Sequence, residues 1–556
     1  GKIRSLADAA LPGADSLSVT TIVQNVAGSN AEATGGGLLG SVQSSNANSF
    51  VFGPSTLTPI ASATIGANTD VRTRGSISVN TGSSGDADAT VKGVSLGFVA
   101  PAIQTATATF SPSAEAIVGI GTTLTSTGTG VSANILIGVI QTPIAIDGSN
   151  DVLARAESSA GGGVAISGAT PTATSSPNVR AVVESGVTIS TGGLVQITAS
   201  STVPVRAEAM ARAGGLASVG GTNATVTSNG LTHADLLGNV AQATSVTLSA
   251  THHATGNATA EAPAVGLLAG VAGAIASTNV APSIRAIVGG NVTSSGDVLI
   301  QTESLGDAEA AASGTGGGFV GFGDANATAR LRPVVTSQIL IGSDVTSTAG
   351  SIRLTGDHNI LQDGMLAPGS GATATGNASG DGFDGKSTVN ATAENSPNLT
   401  VEIESFTTII SANDLLVRAR GDETATATGI GTSAGAGAGS HVNATAESRG
   451  RVNSLIAPQL ADIENNLDVI ARREGVTTSI ATPSAVAVFG ADVQTNATSR
   501  VDSGAFGPSF EPKVQARLGG SVIRVGRVES PAIDVTQRFG AINVLAQNLG
   551  LVKAES

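Results

Sequence analysis

One motif of about 52 residues recurs along this 556-residue chain, and no other feature constrains the fold as strongly. The triplet Asn-Ala-Thr begins at Asn390, Asn443 and Asn496, at two intervals of 53 residues. The segment that begins at Pro177 returns at Pro282, 105 residues later, which corresponds to two such intervals. A fixed period of this length is the sequence signature of a repeat architecture, here roughly nine or ten degenerate tandem units.

The same interval assigns residues to equivalent positions. At an offset of 53 residues, Leu416 falls on Val469, and residues 459–474 fall on residues 406–421. The later segment is rich in Asp, Glu, Asn, Leu and Arg and could be taken for a helix, whereas the earlier one has the pattern of a turn followed by a strand. Because equivalent segments of a repeat share their structure, we predict turn and strand for residues 459–474.

Hydrophobic periodicity within a unit is two residues. Val179, Ala181 and Val183 point to one side of a strand, and Arg180 and Glu184 point to the other. Glycine, asparagine and aspartate turns, together with Gly-rich reversals, separate such stretches. Each unit is therefore predicted to contain four or five short strands.

Most apolar side chains are too small for an ordinary globular core. Aromatic residues make up 2% of the chain, with no Trp and no Tyr. A buried CH₂ contributes only ~0.8 kcal/mol, so one Ala-rich unit cannot form a stable core alone. Stacked units can, because every strand gains ladder partners above and below it. The predicted fold class is all-β, an elongated, β-helix-like β-solenoid. The alternative is a string of small β-sandwich domains.

Composition barely changes along the chain, and no linker is apparent. We expect residues 51–550 to form one continuous solenoid array. Residues 1–50 would be a first repeat or an interface segment, and residues 551–556 a C-terminal end. Because the chain begins with Gly1 rather than Met, we also expect it to be a mature or excised piece.

Charge and composition exclude several classes of partner. The net charge is −14, the opposite sign to that of a protein that binds duplex DNA, and aromatic platforms for stacking single strands are missing. The longest apolar stretch, residues 265–276, is too short to span a bilayer. The absence of Cys excludes disulfides and thiolate zinc sites. We therefore expect neither nucleic-acid binding nor a membrane span.

The repeat units resemble those of a known family. They have the form Pro-x-Val-x-Ala-x-Val, then Val-Thr-x-Ser-Gly-Asp-Val, then Ala-x-Ala-x-Gly with a Gly-rich hairpin. Over roughly residues 50–550 this is similar to β-strand-repeat exoproteins, very large secreted bacterial surface proteins related to filamentous-haemagglutinin-type adhesins. The resemblance implies an extracellular, elongated, non-enzymatic body used for adhesion, matrix or filament formation. It implies no catalytic residues, and the secretion domain of that family is not recognisable here.

Two short motifs suggest catalysis or phosphate binding. Residues 93–97 match the nucleophile pattern Gly-x-Ser-x-Gly, but they lie between strand-like stretches instead of at a strand-to-helix turn. Gly316, Gly318 and Gly321 satisfy Gly-x-Gly-x-x-Gly, but no helix follows, and a hairpin reversal explains them better. The five His residues show no zinc-binding spacing, and adjacent His252 and His253 would face opposite ways on a strand. We predict that the protein is not an enzyme.

Calcium is the one ligand that the sequence suggests. Asp381 and Asp384 place two carboxylates in a Gly-rich loop, the kind of oxygen-rich turn that hard cations favour. They are weak candidates, because aspartates in turns commonly bond turn amides instead. No other cofactor is expected. The Asn-Ala-Thr triplets match the glycosylation acceptor sequence, but we interpret them as a repeat position at which Asn and Thr stack in ladders.

Three functional hypotheses follow. The first is an extracellular structural protein at the cell surface, the repeat body of a filament, fibre or sheath that polymerises end to end with copies of itself. The alternative is the rigid stalk of a giant adhesin whose binding domain lies outside this piece. A less favoured third is an ice-binding or carbohydrate-binding solenoid, because Thr rows are expected in only some units.

Overall fold

Each repeat unit folds into one coil, and each coil lies parallel to the coil before it. The computed structural model describes residues 2–4, 16–52, 61–143, 151–361, 363–501, 514–526 and 540–555. These residues form ten stacked coils, all in parallel register, apart from a single isolated antiparallel bridge between Ile360 and Leu366. The coils are numbered in chain order: coil 1 begins with Lys2–Arg4, and coils 2 to 10 begin at residues 61, 113, 178, 231, 283, 334, 398, 451 and 514. The β-solenoid prediction is confirmed, and the described residues do not divide into separate sandwich domains.

Three parallel sheets run the length of the solenoid. Short strands form a ten-stranded sheet: Lys2–Arg4, Asp70–Thr73, Thr123–Thr129, Thr188–Gly192, Asn239–Gln242, Val292–Ser294, Asp344–Ser347, Thr408–Ser411, Leu460–Ile463 and Val522–Val525. Others form a nine-stranded sheet: Ala61–Ile65, Ser113–Val118, Asn178–Val183, Leu231–Leu236, Ser283–Val288, Val334–Ile339, Asn398–Ile403, Arg451–Ile456 and Val514–Leu518.

The third sheet contains the long strands. Its 18 members are Leu17–Gly36, Gln43–Phe52, Ile77–Ser111, Ile135–Pro143, Val152–Ser175, Leu194–Ser228, Ser245–Val280, Val298–Gly317, Val320–Leu331, Ile352–His358, Gly371–Asp381, Asp384–Asn395, Leu415–Asp422, Ala425–Ser448, Leu467–Glu474, Val476–Val501, Ile542–Asn548 and Leu551–Glu555. One 3-10 turn, Gly130–Ala133, interrupts the otherwise extended chain.

A three-sided base forms one part of every coil. The two short strands and the first residues of the long strand enclose a core of Val, Ile and Leu, to which the fourth coil contributes Val179, Ile189 and Ile197. The alternation predicted for the first of these strands is confirmed, because Val179, Ala181 and Val183 are all buried. β-branched side chains suit this position, since they fill the space between pleated walls.

A thin blade projects from the base and forms the rest of the coil. The long strand runs outward, reverses and returns, so that an outgoing wall faces a return wall. Ser167 on the return wall donates a hydrogen bond to Ser158 on the outgoing wall at 2.9 Å between the hydroxyl oxygens. The second core, between these walls, consists mainly of Ala. Near the reversal of coil 6 even a methyl group is too large: a Cβ on Gly316 would lie 2.0 Å from the carbonyl oxygen of Phe322.

The coil-to-coil register confirms the repeat and corrects one alignment. Asn390 pairs with Asn443, which pairs with Asn496, as the interval of 53 predicts. The predicted match of Leu416 with Val469 is wrong: Leu416 pairs with Asp468, and Val417 pairs with Val469, at an offset of 52. A one-residue shift exchanges the two faces of a strand, so only the observed offset buries Val469.

The segment that could be taken for a helix is extended, as predicted. Residues 459–474 contain the strands Leu460–Ile463 and Leu467–Glu474. The expected boundaries at residues 50 and 551 mark no change of architecture. Leu17–Gly36 and Gln43–Phe52 pair with Ile77–Ser111 like later coils, and Leu551–Glu555 pairs with Val476–Val501. Residues 1, 5–15 and 556 of the two end segments lie outside the described part of the chain.

The thinness of the blade generates a prediction. Ala310 is buried between the walls with Ala258 and Ala374 above and below it, whereas its neighbour Ala311 faces outward. We expect Ala310→Leu to destabilise the protein by ~1–3 kcal/mol, because the walls cannot separate in one coil only. The matched Ala311→Leu variant should unfold at nearly the same urea concentration as the wild type.

The midpoint of urea unfolding, followed by far-UV circular dichroism, measures the difference. Equal midpoints for the two variants would show that the walls are not closely packed at this depth.

Candidate interaction surface

The reversals of nine successive blades form one continuous edge. Backbone hydrogen bonds connect them: the Phe319 N–H donates to the Leu267 carbonyl, the Phe383 N–H to Phe319, and the Ala436 N–H to Phe383. We call this edge the tip ridge. From coil 1 to coil 9 its outermost residues are Leu38 and Leu39, Phe98, Gly163, Leu216, Leu267 and Leu268, Phe319, Phe383, Ala436, and Val488 with Phe489.

Glycine adjoins most of these outermost residues for a geometric reason. Gly162 and Gly318 adopt φ values of +153° and +150°, which side chains of L-residues rarely allow. A Cβ on Gly318 would also lie 2.1 Å from the carbonyl oxygen of Gly266 in the preceding coil. Reversal therefore requires glycine, and the next residue points away from the blade.

The tip ridge is apolar and exposed. Leu39 is 84% exposed and Phe489 is 81% exposed, and four of the 12 Phe residues of the chain lie on the ridge. The rings of Phe319 and Phe383 stack with their centroids 5.1 Å apart and their planes 1° apart. We call this stacked pair the aromatic knob. A contiguous exposed apolar surface of this kind marks an interaction site in soluble proteins.

Beside the ridge, the outgoing walls of coils 3 and 4 carry a shallow groove of about 410 Å³. Its floor contains Gly161 and Gly214, which lack side chains, and Leu96 and Val265 flank it in coils 2 and 5. Arg212 lines the groove and forms no ion pair within the described residues. We call this hollow the tip groove.

Sequence reasoning missed both features. The glycines of the reversals were recognised, but the Leu or Phe that follows them was not. The available signal was the dipeptide Gly-Phe or Gly-Leu at 97–98, 215–216, 266–267, 318–319 and 382–383.

The outer face of the return wall carries polar ladders. One row contains Thr or Ser in eight consecutive coils: Thr107, Thr172, Thr225, Ser277, Thr328, Thr392, Thr445 and Thr498. Rows of three alternating Thr nevertheless occur in only some units, as expected, because Thr105 and Thr109 flank Thr107 whereas Ile275 and Asn279 flank Ser277. The ladder from Thr107 to Thr498 is difficult to recognise in the sequence, because different residues precede its members in different units.

The Asn-Ala-Thr triplets behave as stacked positions. Asn326, Asn390, Asn443 and Asn496 are consecutive in one ladder, and the Asn443 side-chain amide donates to the Asn390 side-chain oxygen at 3.0 Å. Asn257 is different, because it lies on an outgoing wall and donates to Glu309.

The two calcium candidates lie on opposite walls. Asp381 ends the outgoing strand of coil 7, and Asp384 begins the return strand. An Asp384 carboxylate oxygen lies 4.0 Å from the Lys386 ammonium group. Among the residues that the structure describes, no three His, Asp or Glu side chains come together in a way that could hold a metal. Calcium binding by this pair stays a prediction without structural support.

The two motifs that suggested chemistry have structural roles. Ser95 of the Gly-x-Ser-x-Gly match lies inside the strand Ile77–Ser111, and its buried hydroxyl contacts the Ser41 hydroxyl at 2.6 Å. Gly316, Gly318 and Gly321 surround the reversal of coil 6, as predicted from their pattern. That location explains the glycines without a phosphate.

Buried polar side chains form contacts within a coil and between neighbouring coils. His252 is fully buried beside the Thr232 hydroxyl at 2.9 Å, and burial lowers its pKa to about 3, so the ring is neutral at pH 7. His253 faces outward, as predicted for adjacent residues of a strand. Arg473 and Glu423, each 1% exposed, form an ion pair at 2.6 Å between coils 9 and 8. The titratable side chains of His252, Arg473 and Glu423 all lie in the interior of the stack.

One carboxyl group makes stability depend on pH. Burial, with the Glu309 charge nearby, raises the pKa of Asp307 from 3.8 to about 7. Between these values the folded chain holds a proton that the unfolded chain has lost, so this group lowers stability as pH rises from 4 to 7. We expect Asp307→Asn to raise the thermal unfolding temperature at pH 8 and to leave it nearly unchanged at pH 4.

The matched control is Asp363→Asn, since Asp363 lies exposed in a loop. A gain in unfolding temperature for Asp307→Asn of the same size at both pH values would contradict the assignment.

Comparisons with protein-family models, with curated proteins and with solved structures found no match. The resemblance to secreted adhesin repeats therefore stays a prediction. Within the described ranges, no helix is long and apolar enough to cross a membrane.

Proposed function

We propose that this chain is the structural body of an extracellular filament or sheath at the cell surface, in which the coils of one copy stack on the coils of the next. The observation that carries the proposal is the parallel pairing of every described coil with the next, a mode of stacking that a coil of another copy can continue. Among the described residues, the outermost edges are Leu17–Gly36, paired with Ile77–Ser111, and residues 481–501, paired with the coil before them. Unpaired N–H and C=O groups along such an edge are a template for a further strand.

The ends also carry apolar side chains that a further coil would cover. Ala27, Ala31 and Ala497 belong to the Ala core of the blade but are only partly buried, because no coil covers them on one side within the described residues. Their partners inside the stack, such as Ala87 opposite Ala27 and Ala444 opposite Ala497, are completely buried. Another coil in register would bury this surface and complete the hydrogen-bond ladder.

The stalk of a giant adhesin is the alternative. It uses the same edges, with the next coil supplied by the same chain. Each coil of about 52 residues adds only ~4.8 Å along the axis, so ten coils span roughly 50 Å. A narrow solenoid would give a stalk the same length with far fewer residues. The wide blades instead provide lateral surface, which favours a filament or sheath.

End-to-end stacking is tested with a charge at the exposed end. The purified chain should form unbranched fibres with an axial repeat of ~4.8 Å, seen by electron microscopy and fibre diffraction. Ala497→Lys should prevent assembly, because it places an ammonium group where the next coil would pack. The control Thr498→Lys, on the outward face of the same strand, should still assemble.

A wild-type chain that stays monomeric at all accessible concentrations would contradict the filament. A denaturing gel of native material separates it from the stalk, since subunits of 53.9 kDa indicate a filament and one much larger chain indicates a stalk.

A further inference from the structure

The aromatic knob on the tip ridge and the tip groove beside the ridge each span two coils. The aromatic knob occupies coils 6 and 7, with its two rings 5.1 Å apart. The tip groove occupies coils 3 and 4, and its flanking residues, Leu96 and Val265, belong to coils 2 and 5. Three coil spacings separate these flanks, roughly 14 Å, which leaves space for two stacked rings between them.

We propose that the tip ridge, together with the outgoing walls beside it, packs against the same surface of a second copy in antiparallel orientation, about a two-fold axis through coil 5. This operation brings coil 3 opposite coil 7 and coil 4 opposite coil 6. The aromatic knob of each copy therefore meets the tip groove of the other, and one operation satisfies both contacts, as an isologous interface requires. The same operation places Phe98 of coil 2 opposite Ala436 of coil 8, a large side chain against a small one.

Charges favour the same orientation. Arg212 lines the tip groove without an ion pair within the described residues, and Asp381 lies beside Phe383 at the aromatic knob. Antiparallel pairing brings Asp381 opposite Gly161 in coil 3, which is one coil away from Arg212 of the other copy and two residues farther along the strand. Parallel pairing would oppose Arg212 to Arg212 and Asp381 to Asp381, which costs energy in a water-excluded contact.

The surface is large enough for a stable contact. Residues 93–103, 158–169 and 262–277 around the tips contain no charged side chain, although the chain carries a net charge of −14. About ten Leu, Val and Phe side chains at roughly 100 Å² each offer on the order of 1,000 Å² per copy, compared with the ~800 Å² per partner of a standard interface.

This pairing is lateral and does not depend on the proposed end-to-end stacking. The experiment therefore uses the full chain carrying Ala497→Lys, so that axial assembly does not obscure the lateral contact. Sedimentation equilibrium should show a monomer–dimer equilibrium for this parent.

The first part of the experiment fills the tip groove with a side chain. Gly214→Leu should weaken the dimer about tenfold or more, since the new side chain occupies the space of the knob. A Cβ at Gly214 meets no atom within 4 Å, so the fold tolerates the change. The control is Gly221→Leu on the return wall of the same coil, where a Cβ is equally free, and its dimer should match the parent.

The second part of the experiment reverses the charges of Arg212 and Asp381. Arg212→Glu should weaken the dimer, and adding Asp381→Arg in the same chain should restore it, because the pair re-forms with opposite signs. A monomeric parent, a tighter dimer for Gly214→Leu, or no rescue by Asp381→Arg would each overturn the proposal. So would a parent that binds phosphatidylcholine vesicles through the ridge and does not dimerise.

Discussion

The separation of the two walls in each blade decides which side chains the chain can use. At the base, where three sides enclose a core, Val, Ile and Leu fill the space. Farther out the walls approach and Ala replaces them. Near the tip of coil 6 even a methyl group would collide with the opposite backbone, as at Gly316 and Phe322, whereas coils 3 to 5 keep Ala at the position of Gly316. The change from branched residues through Ala to Gly thus follows the decreasing distance between the walls. It also explains why a protein of this size has almost no aromatic residues in its core.

Such a blade is stable only as part of a stack. An Ala-lined layer buries little apolar area per residue, so its hydrophobic contribution is small. Hydrogen bonds to the coils on either side satisfy the backbone groups, and these are obligatory in a buried strand. Insertions lengthen several coils: the offset between paired residues rises from 58 for Ile77 and Ile135 to 65 for Ala89 and Ala154, and from 54 for Val298 and Ile352 to 64 for Asp307 and Gly371. The ladder resumes in register after each, as His358 opposite Ser304 and Gly371 opposite Asp307 show.

The features that were predictable from the sequence are those that every unit repeats. The period, the strand pairing and the extended state of residues 459–474 follow from spacing alone. The exact offsets do not, because turns absorb single residues and the interval varies between coils. Leu416 was consequently placed one residue away from its true partner, and the Thr row from Thr107 to Thr498 was not recognised. The tip ridge was missed for a related reason: Gly-Phe and Gly-Leu become a surface only when their reversals are known to coincide.

The two proposed contacts differ in what they recognise. A coil that stacks on an open edge is recognised mainly through backbone hydrogen bonds. Any coil with a similar outline and similar inward-facing residues can therefore bind there. The tip ridge is recognised through its side chains. Because the sizes of these side chains differ from coil to coil, they determine the register and the direction of pairing. A stack of parallel coils is polar, with distinguishable ends, whereas a two-fold axis perpendicular to the stack joins copies of opposite polarity. Lateral pairing through the ridge would therefore cancel the polarity of the stacks it joins, so a sheath built in both directions would have equivalent ends.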